Sequence, residues 1–154
     1  MVRVVVPEPD IAARLCTIEQ AAFPGREAHW SVDDYVNLGG PPGAAILTDD
    51  AIAKGLLVLQ FAADEGEVIN LGVIPQARRH GLGRELLDAG EALADGLGIA
   101  RIYLEVAADN APARKLYEAA GYARVGERKD YYARPDGNRM DTIVMSRSRE
   151  RMAP

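Results

Sequence analysis

The sequence is poor in cysteine and in long apolar runs, and each shortage excludes a class of protein. One cysteine, Cys16, among 154 residues permits no intrachain disulfide, which fits a reducing compartment. No stretch approaches the ~18 apolar residues that a membrane span requires. The apolar start Val4–Val6 is too short for a signal peptide core before Pro7. We therefore expect a cytoplasmic protein without a membrane partner.

Histidine and positive charge are also scarce. His29 and His80 lie far apart and lack the spacing of metal ligands, so we expect no metal site. The formal net charge is −5, which disfavours nucleic-acid binding because that needs a basic face. The same charge is compatible with a basic peptide substrate, although a solvated acidic surface is the simpler explanation.

What the chain does contain is typical of a globular domain. Hydrophobic residues make up 48% and charged residues 27% of it. Apolar residues at helical spacing predict helices from Asp10 and from Leu82 to Leu97, and capping signals predict short helices after Ser31 and from Pro112. Alternating or β-branched runs predict strands at residues 2–6, 44–48, 52–62, 67–73, 102–106, 123–131 and 140–146. This order favours one α/β (α+β) domain over residues 1–147, with a mixed sheet between helices and a polar tail at 148–154.

A basic, glycine-containing turn joins a predicted strand to a predicted helix at residues 78–84. Gly81 and Gly83 let the backbone approach a ligand, and the helix that follows begins with free N–H groups and a partial positive charge. Arginine and histidine crowd a helix start where acidic residues are usual. The segment therefore fits a bound pyrophosphate, and a tight turn with solvated arginines is the alternative.

A dinucleotide-binding loop is a second alternative for this turn. Glu105 lies near the spacing of the ribose-binding acid of such proteins. However, Leu86 occupies the third glycine position, and consecutive short strands precede the turn. The lysine of a Walker motif is absent as well.

The pattern Arg78-x-x-Gly81-x-Gly83 resembles the acetyl-coenzyme A signature of the GCN5-related N-acetyltransferases (GNAT). Further downstream, Leu104-Glu105-Val106, Asp109-Asn110 and the run from Leu116 to Tyr122 resemble the ribosomal-protein-alanine branch of that family, the RimI type. The resemblance covers most of the chain and is densest from Asn70 to Met145. It implies a mostly antiparallel sheet of about seven strands flanked by about four helices, and acetyl-coenzyme A as co-substrate without a metal.

The resemblance also assigns residues to the coenzyme. It implies that amides of the basic turn hold the pyrophosphate and that the preceding strand runs beside the pantetheine arm. Asn110 falls on a coenzyme-binding asparagine of the family, and a helix N-cap is its structural alternative. The residues assigned in this way are Leu71, Gly72, Val73, Arg78, Arg79, His80, Gly81, Leu82, Gly83, Arg84 and Asn110.

The chemistry of acetyl transfer to an amine explains which further residues are needed. A thioester is already electrophilic, so no protein nucleophile is required. The amine must be neutral to attack, which at pH 7 costs roughly 1 kcal/mol for an α-amine of pKa ~8 and nearly ~5 kcal/mol for a lysine of pKa ~10.4. A nearby carboxylate can take the proton that the amine releases, and a phenol can protonate the departing thiolate.

Two residues match these roles. Glu105 lies in an alternating strand that places it opposite Leu104 and Val106. A surface carboxylate paired with an arginine is the structural alternative, and the resemblance implies the general base. Tyr117 follows it by twelve residues, and half-buried packing is the alternative there. The resemblance implies that Tyr117 is the proton donor.

The acceptor side departs from the family pattern. RimI-type chains run phenylalanine, proline, tryptophan, serine, whereas Gly25–His29 here separates Pro24 from Trp30. Trp30 either lines the acceptor site or anchors this loop, and Tyr131 and Tyr132 either shape a peptide groove or pack on a strand.

We therefore expect an N-acetyltransferase that acts by direct attack on the α-amine of a protein N-terminus, with an N-terminal alanine of a ribosomal protein as the preferred acceptor. Transfer to a lysine, a polyamine or another small amine is an alternative within the class. A non-catalytic module that binds acetyl-coenzyme A, and a nucleotide-binding module, are alternatives outside it. The sequence leaves the oligomeric state open.

Overall fold

The computed structural model describes residues 1–26, 28–133 and 137–148, with the side chains of residues 132 and 133 outside the description. Its strands are β1 (Val2–Val5), β2 (Ala44–Asp49), β3 (Gly55–Ala62), β4 (Glu65–Val73), β5 (Arg101–Ala107), β6 (Ala123–Ala133) and β7 (Arg139–Ser148). Its α-helices are α1 (Pro9–Ala22), α2 (Val32–Leu38), α3 (Leu82–Gly96) and α4 (Ala111–Ala119).

The strands form a mixed sheet with the order β1-β2-β3-β4-β5-β7-β6. Neighbouring strands are antiparallel, except that β4 and β5 run parallel. This confirms the expected mixed, mostly antiparallel sheet with about four helices.

Both faces of the sheet are covered in its centre. On one face, Leu86 and Leu87 of α3 belong to the same buried cluster as Leu57 and Leu59 of β3. On the other face, Leu15 and Ile18 of α1 and Tyr35 of α2 form a second buried cluster. It includes Leu56 and Val58, the alternate residues of β3. Because both faces of β3 are buried from Gly55 to Leu59, its sequence is a continuous apolar run over these residues.

Several element boundaries differ from the predictions for local reasons. Strand β3 begins at Gly55 rather than at residue 52, because Ile52 adopts φ 52° in a turn where the Asp49 carboxylate accepts the N–H groups of residues 53–55. A turn at Ala63, φ 54°, lets β4 begin two residues early, at Glu65. The predicted capping box is confirmed, since Ser31 and Asp34 cap each other across the first turn of α2.

Strand β1 ends at Val5, one residue before its predicted end, whereas two other elements extend beyond their predicted bounds. Helix α1 begins at Pro9, with Glu8 at the N-cap and no side-chain cap, rather than at Asp10. Strand β7 continues through Ser148, two residues beyond its predicted end. The predicted tail beyond Ser148, and Pro135 and Asp136 of the β6–β7 loop, lie outside the described residues.

The two parallel strands separate, and this divergence positions the site. Strands β4 and β5 pair over three residues each, ending at Glu67 and Tyr103. Beyond that point β4 follows β3 to Val73, and β5 follows β7 to Ala107. The register of β4 also shifts here, because Val68 and Asn70 have partners on β3 and Ile69 has none. Such bulges re-aim side chains beside functional sites.

Across residues 1–26, 28–133 and 137–148, no helix has both the length and the apolar character needed to cross a bilayer.

Candidate active site

A cavity of about 610 Å³ opens where β4 and β5 diverge. One wall comes from β4 and from the connection between α1 and α2, and the other comes from β5 and α4. Strands β6 and β7 contribute one residue each. Its lining includes Arg26, Asn70, Leu71, Glu105, Asn110, Tyr117, Tyr131 and Thr142.

Glu105 reaches the cavity from β5. Its neighbours Leu104 and Val106 are buried in the α3 cluster, so the alternation of the strand directs Glu105 to the opposite face, as predicted. Thr142 donates its hydroxyl proton to Oε2 at 3.0 Å, and Arg128 Nε lies 3.2 Å from Oε1. The carboxylate therefore lies in the cavity and also pairs with an arginine, as the structural alternative predicted. Its role as general base stays a prediction.

Tyr117 enters the cavity from α4. This short helix begins at Asn110, whose side-chain oxygen accepts the Ala113 N–H at 3.3 Å, as the N-cap alternative predicted. The Tyr117 ring is 7% exposed and packs edge-on against Tyr122, with centroids 5.9 Å apart. Burial raises the pKa of the Tyr117 phenol to about 12, so the group keeps its proton throughout the neutral range.

The basic turn presents main-chain donors. Arg79 and Gly81 adopt φ 66° and 83°, which turns the chain sharply into α3. Among the described residues, no protein acceptor is found for the backbone N–H groups of residues 79–84. A Cβ at Gly83 would lie 3.5 Å from Leu116 Cδ2, so the turn lies beside α4. These amides fit the anionic pyrophosphate of a coenzyme.

Three residues predicted to hold the coenzyme also have internal roles. The Arg78 guanidinium donates to the carbonyl oxygens of Val73 at 3.0 Å and Ala22 at 2.9 Å, which fastens the turn to the ends of β4 and α1. A Cβ at Gly72 would lie 2.6 Å from Phe23 Cε2, so this glycine permits α1 to pack on β4. Arg84 pairs with Asp88 at 2.9 Å. The main chain of this region is therefore better placed than its side chains to meet a ligand.

The three aromatic residues predicted for the acceptor side lie in different surroundings. Tyr131 lines the cavity, is 56% exposed and has the Arg128 guanidinium 4.8 Å from its ring centroid. Trp30 is absent from the cavity lining and packs on Tyr35, with centroids 5.0 Å apart, which favours its role as an anchor of the loop. Tyr132 belongs to β6, and its side chain lies outside the described residues.

Several residues of the site were not predicted from the sequence. Thr142 and Arg128 reach Glu105 because of the pairing of β5, β7 and β6, which no local pattern indicates. Asn70 contacts Arg26 of the connection between α1 and α2, because the bulge in β4 changes the direction of its side chain. Glu19 is 0% exposed and accepts the Trp30 N–H from the connection between α1 and α2. The available signal was the resemblance of Ile18-Glu19-Gln20 to the RimI-type pattern.

Among the residues that the structure describes, no group of three or more histidine, cysteine, aspartate or glutamate side chains is placed to hold a metal ion.

Comparisons with known proteins agree with this geometry. Residues 12–122 match the profile of the acetyltransferase (GNAT) family. A ribosomal protein bS18-alanine N-acetyltransferase from Haemophilus ducreyi is 32% identical over 134 residues, which are 86% of this chain and 90% of that protein. The ribosomal-protein-S18-alanine N-acetyltransferase from Escherichia coli has a crystal structure with a TM-score of 0.82 and 29% identity, covering 99% of this chain and 97% of that one.

The fold also recurs in a structure that contains the coenzyme. The protein yncA from Salmonella typhimurium, solved with acetyl-coenzyme A, has a TM-score of 0.82 at 17% identity over 100% of this chain and 96% of that one. The chain belongs to the GNAT acetyltransferase family, and it is an acetyl-coenzyme A-dependent N-acetyltransferase.

Proposed function

We propose that this GNAT enzyme acetylates the α-amine of a protein N-terminus by direct attack, with Glu105 as general base and Tyr117 as general acid. One observation carries the proposal. The Glu105 carboxylate and the protonated Tyr117 phenol line one cavity at the divergence of β4 and β5. The basic turn, with its free main-chain N–H groups, lies beside α4, the helix that carries the phenol. The two proton-transfer groups that the reaction needs are therefore on the same cavity.

The proton transfers follow from the two side chains. Acetyl-coenzyme A supplies the electrophilic thioester, so no protein nucleophile is needed. Glu105 accepts the proton that the amine loses as the new N–C bond forms, directly or through one water. Tyr117 donates its phenolic proton to the sulfur as the C–S bond breaks. Contacts from Thr142 and Arg128 hold the Glu105 carboxylate in one orientation.

The coenzyme would be held mainly by backbone. We assign the pyrophosphate to the amides of residues 79–84, and the pantetheine arm to the edge of β4 at Leu71, which β5 leaves unpaired beyond Glu67. Asn110 lines the same cavity. Its side-chain oxygen is engaged as the N-cap, which leaves its amide NH₂ group as the available donor.

The relatives suggest the acceptor. Proteins named for alanine N-acetylation of ribosomal protein bS18 are similar to this chain over most of its length. We therefore propose an N-terminal alanine of a ribosomal protein as the acceptor, in the cytoplasm. The net charge of −5 is compatible with a basic polypeptide partner. An α-amine also needs less free energy for deprotonation at neutral pH than a lysine does.

The test is release of free thiol from acetyl-coenzyme A, combined with mass spectrometry of the acceptor. Three peptides are offered: a basic peptide that begins with alanine, its N-terminally blocked form, and a blocked peptide that contains lysine. We expect acetylation of the free α-amine alone. Acetylation of lysine or of a small amine in its place would preserve the mechanism and reject the acceptor. Tight coenzyme binding without turnover of any amine would favour a non-catalytic module.

A further inference from the structure

The inserted segment that distinguishes this chain from the RimI-type pattern is fastened at the acceptor end of the cavity. Its described residues are Gly25, Arg26, Ala28 and His29. We propose that Glu19 is a positioning residue that fixes this segment, and that Arg26 is the residue that the segment presents to the acceptor. The inference rests on the proposed function, because it concerns the same cavity.

Glu19 is a buried carboxylate with partners from one stretch of chain. It lies on α1, is 0% exposed, and accepts the Trp30 N–H at 3.0 Å. His29 Nδ1 contacts its second oxygen, and Arg26 Nη1 lies 3.8 Å from the first. A buried charge is tolerated where several donors meet it, and removal of one member leaves the others unsatisfied. Glu19 therefore sets the path of the segment across the end of α1.

Trp30 makes two further contacts. Cys16 Sγ, also on α1, donates to the Trp30 carbonyl at 3.4 Å, and the indole packs on Tyr35 of α2. The main chain of this one residue is thus fastened through both its N–H and its C=O groups. The far end of the inserted segment is consequently a fixed point. At the near end, the Arg26 N–H donates to the Phe23 carbonyl at 3.1 Å and closes a turn.

Arg26 joins the segment to the sheet. Its Nη2 donates to Asn70 Oδ1 at 3.4 Å, and its guanidinium lies 3.8 Å from the centroid of the Phe23 ring. Asn70 is buried on β4 directly after the bulge. With 29% of its side chain exposed, Arg26 lines the same cavity as Glu105. An arginine carries five N–H donors. Asn70 accepts from one of them, so other N–H groups of Arg26 remain for a ligand.

This placement favours a peptide amine over an alkylamine. In a peptide N-terminus, the carbonyl carbon is attached to the same Cα as the reacting nitrogen. The ε-amine of lysine and the amines of a polyamine have no carbonyl that close. A fixed guanidinium in the cavity can donate to this carbonyl, and its planar donor array gives the contact direction. Arg26 then acts in acceptor binding and Glu19 acts through Arg26.

The experiment compares Glu19→Gln and Arg26→Ala with Glu91→Gln. Glu91 is a matched control because it is also a buried carboxylate, 4% exposed, and is paired with Arg147 at 2.8 Å, but it lies on α3. In both test variants we expect the acceptor KM for an alanine peptide to rise about 10-fold, as for the loss of a charged hydrogen bond. We expect kcat to change by less than about twofold, and the KM for acetyl-coenzyme A to be unchanged.

Two further readouts separate positioning from general damage. Trp30, the one tryptophan of the chain, should become more accessible to acrylamide quenching in Glu19→Gln and stay as in the wild type in Glu91→Gln. Arg26→Ala should also lower the preference, in kcat/KM, for the alanine peptide over a simple alkylamine by about 10-fold. Because Arg26 is partly exposed, we expect Arg26→Ala to fold. That variant therefore tests the proposal even if Glu19→Gln does not fold.

An unchanged acceptor KM in Arg26→Ala would overturn the proposal, as would an equal rise in Glu91→Gln. If the wild type acetylates no α-amine, the proposed function fails, and Trp30 quenching still measures the positioning by Glu19. Equal quenching in wild type and Glu19→Gln would then reject the positioning as well.

Discussion

The two ends of the proposed active site are built from different parts of the polypeptide. At the proposed coenzyme end, the available binding groups are main-chain amides of residues 79–84, which lie beside α4, and the unpaired edge of β4. At the proposed acceptor end they are side chains that line the cavity, among them Arg26, Tyr131 and Thr142, from the α1–α2 connection, β6 and β7. A main-chain site requires a short contiguous segment, whereas a side-chain site requires the convergence of distant elements.

The distribution of charge differs in the same way. At the acceptor end two arginines lie near carboxylates: Arg26 near Glu19 at 3.8 Å, and Arg128 near Glu105 at 3.2 Å. At the coenzyme end, Arg79 and His80 are exposed, and no described carboxylate pairs with them. The unpaired charge of Arg79 at one end and the paired charges at the other fit an anionic coenzyme and an amine acceptor. This contrast leads to different mutational responses at the two ends.

The largest effect is expected where the two ends meet, at Glu105. Glu105→Gln keeps the size of the side chain and can still accept from Thr142, but it removes the proton acceptor. We expect kcat to fall by about 10²- to 10⁴-fold, with the KM for acetyl-coenzyme A unchanged. Thiol release at saturating coenzyme measures this, and Glu118→Gln, at an exposed position of α4, is the control. A normal kcat and pH profile in Glu105→Gln would show that another group is the base.

Tyr117→Phe should have the next largest effect. The substitution retains the ring that packs on Tyr122 and removes only the hydroxyl. We expect kcat to fall by about 10²-fold, at the lower end of the range for general acids. A thiolate is a better leaving group than an alkoxide, which limits the loss. Single-turnover measurements with bound coenzyme would show whether the chemical step is the one that slows; an unaltered rate would reject Tyr117 as the acid.

The same residue makes stability depend on pH in the alkaline range. Burial raises the pKa of Tyr117 to about 12, above the ~10 of an unfolded tyrosine. Its stabilising contribution is complete below pH ~10 and is lost as the pH rises to about 12, with a slope of at most ~1.4 kcal/mol per pH unit. Urea unfolding between these values should show a smaller decline in Tyr117→Phe than in wild type. Burial also raises the pKa of Tyr35, so part of the decline should persist in the variant.

The contrast between the two ends also explains which features the sequence predicts. The basic turn, Glu105 and Tyr117 lie in short segments that resemble the patterns of the family, and that resemblance marked them as site residues; the structure brings Glu105 and Tyr117 to one cavity. Thr142 could not be found in this way, because its contact with Glu105 depends on the register of β5 against β7. Trp30 was ambiguous because its sequence neighbours do not reveal the ring of Tyr35. The start of β3 was misplaced because the Asp49 carboxylate stabilises a turn within an apolar run.

A smaller effect, confined to coenzyme binding, is expected for Gly81→Val. Gly81 has φ 83°, a conformation that costs a β-branched residue more than ~1 kcal/mol, so the turn should shift and its amides lose their common direction. We expect the KM for acetyl-coenzyme A to rise about 10-fold with little change in the acceptor KM. Arg79→Ala is the matched comparison, since an exposed charge contributes at most ~1 kcal/mol. An Arg79→Ala loss larger than that of Gly81→Val would show that side chains hold the coenzyme.

The smallest effect is expected for Thr142→Val, which tests how strictly the Glu105 carboxylate must be oriented. The substitution is nearly isosteric, and the site is 4% exposed, so its main consequence is loss of the 3.0 Å hydrogen bond to Oε2. Such a bond contributes about 1 kcal/mol, which corresponds to a fall of about 5-fold in kcat/KM for the acceptor. Because Arg128 still holds the other oxygen, Glu105 keeps most of its orientation, and the KM for acetyl-coenzyme A should not change. A loss as large as that of Glu105→Gln would indicate that Thr142 itself conducts the proton, since the orientation of a carboxylate alone does not account for so large an effect.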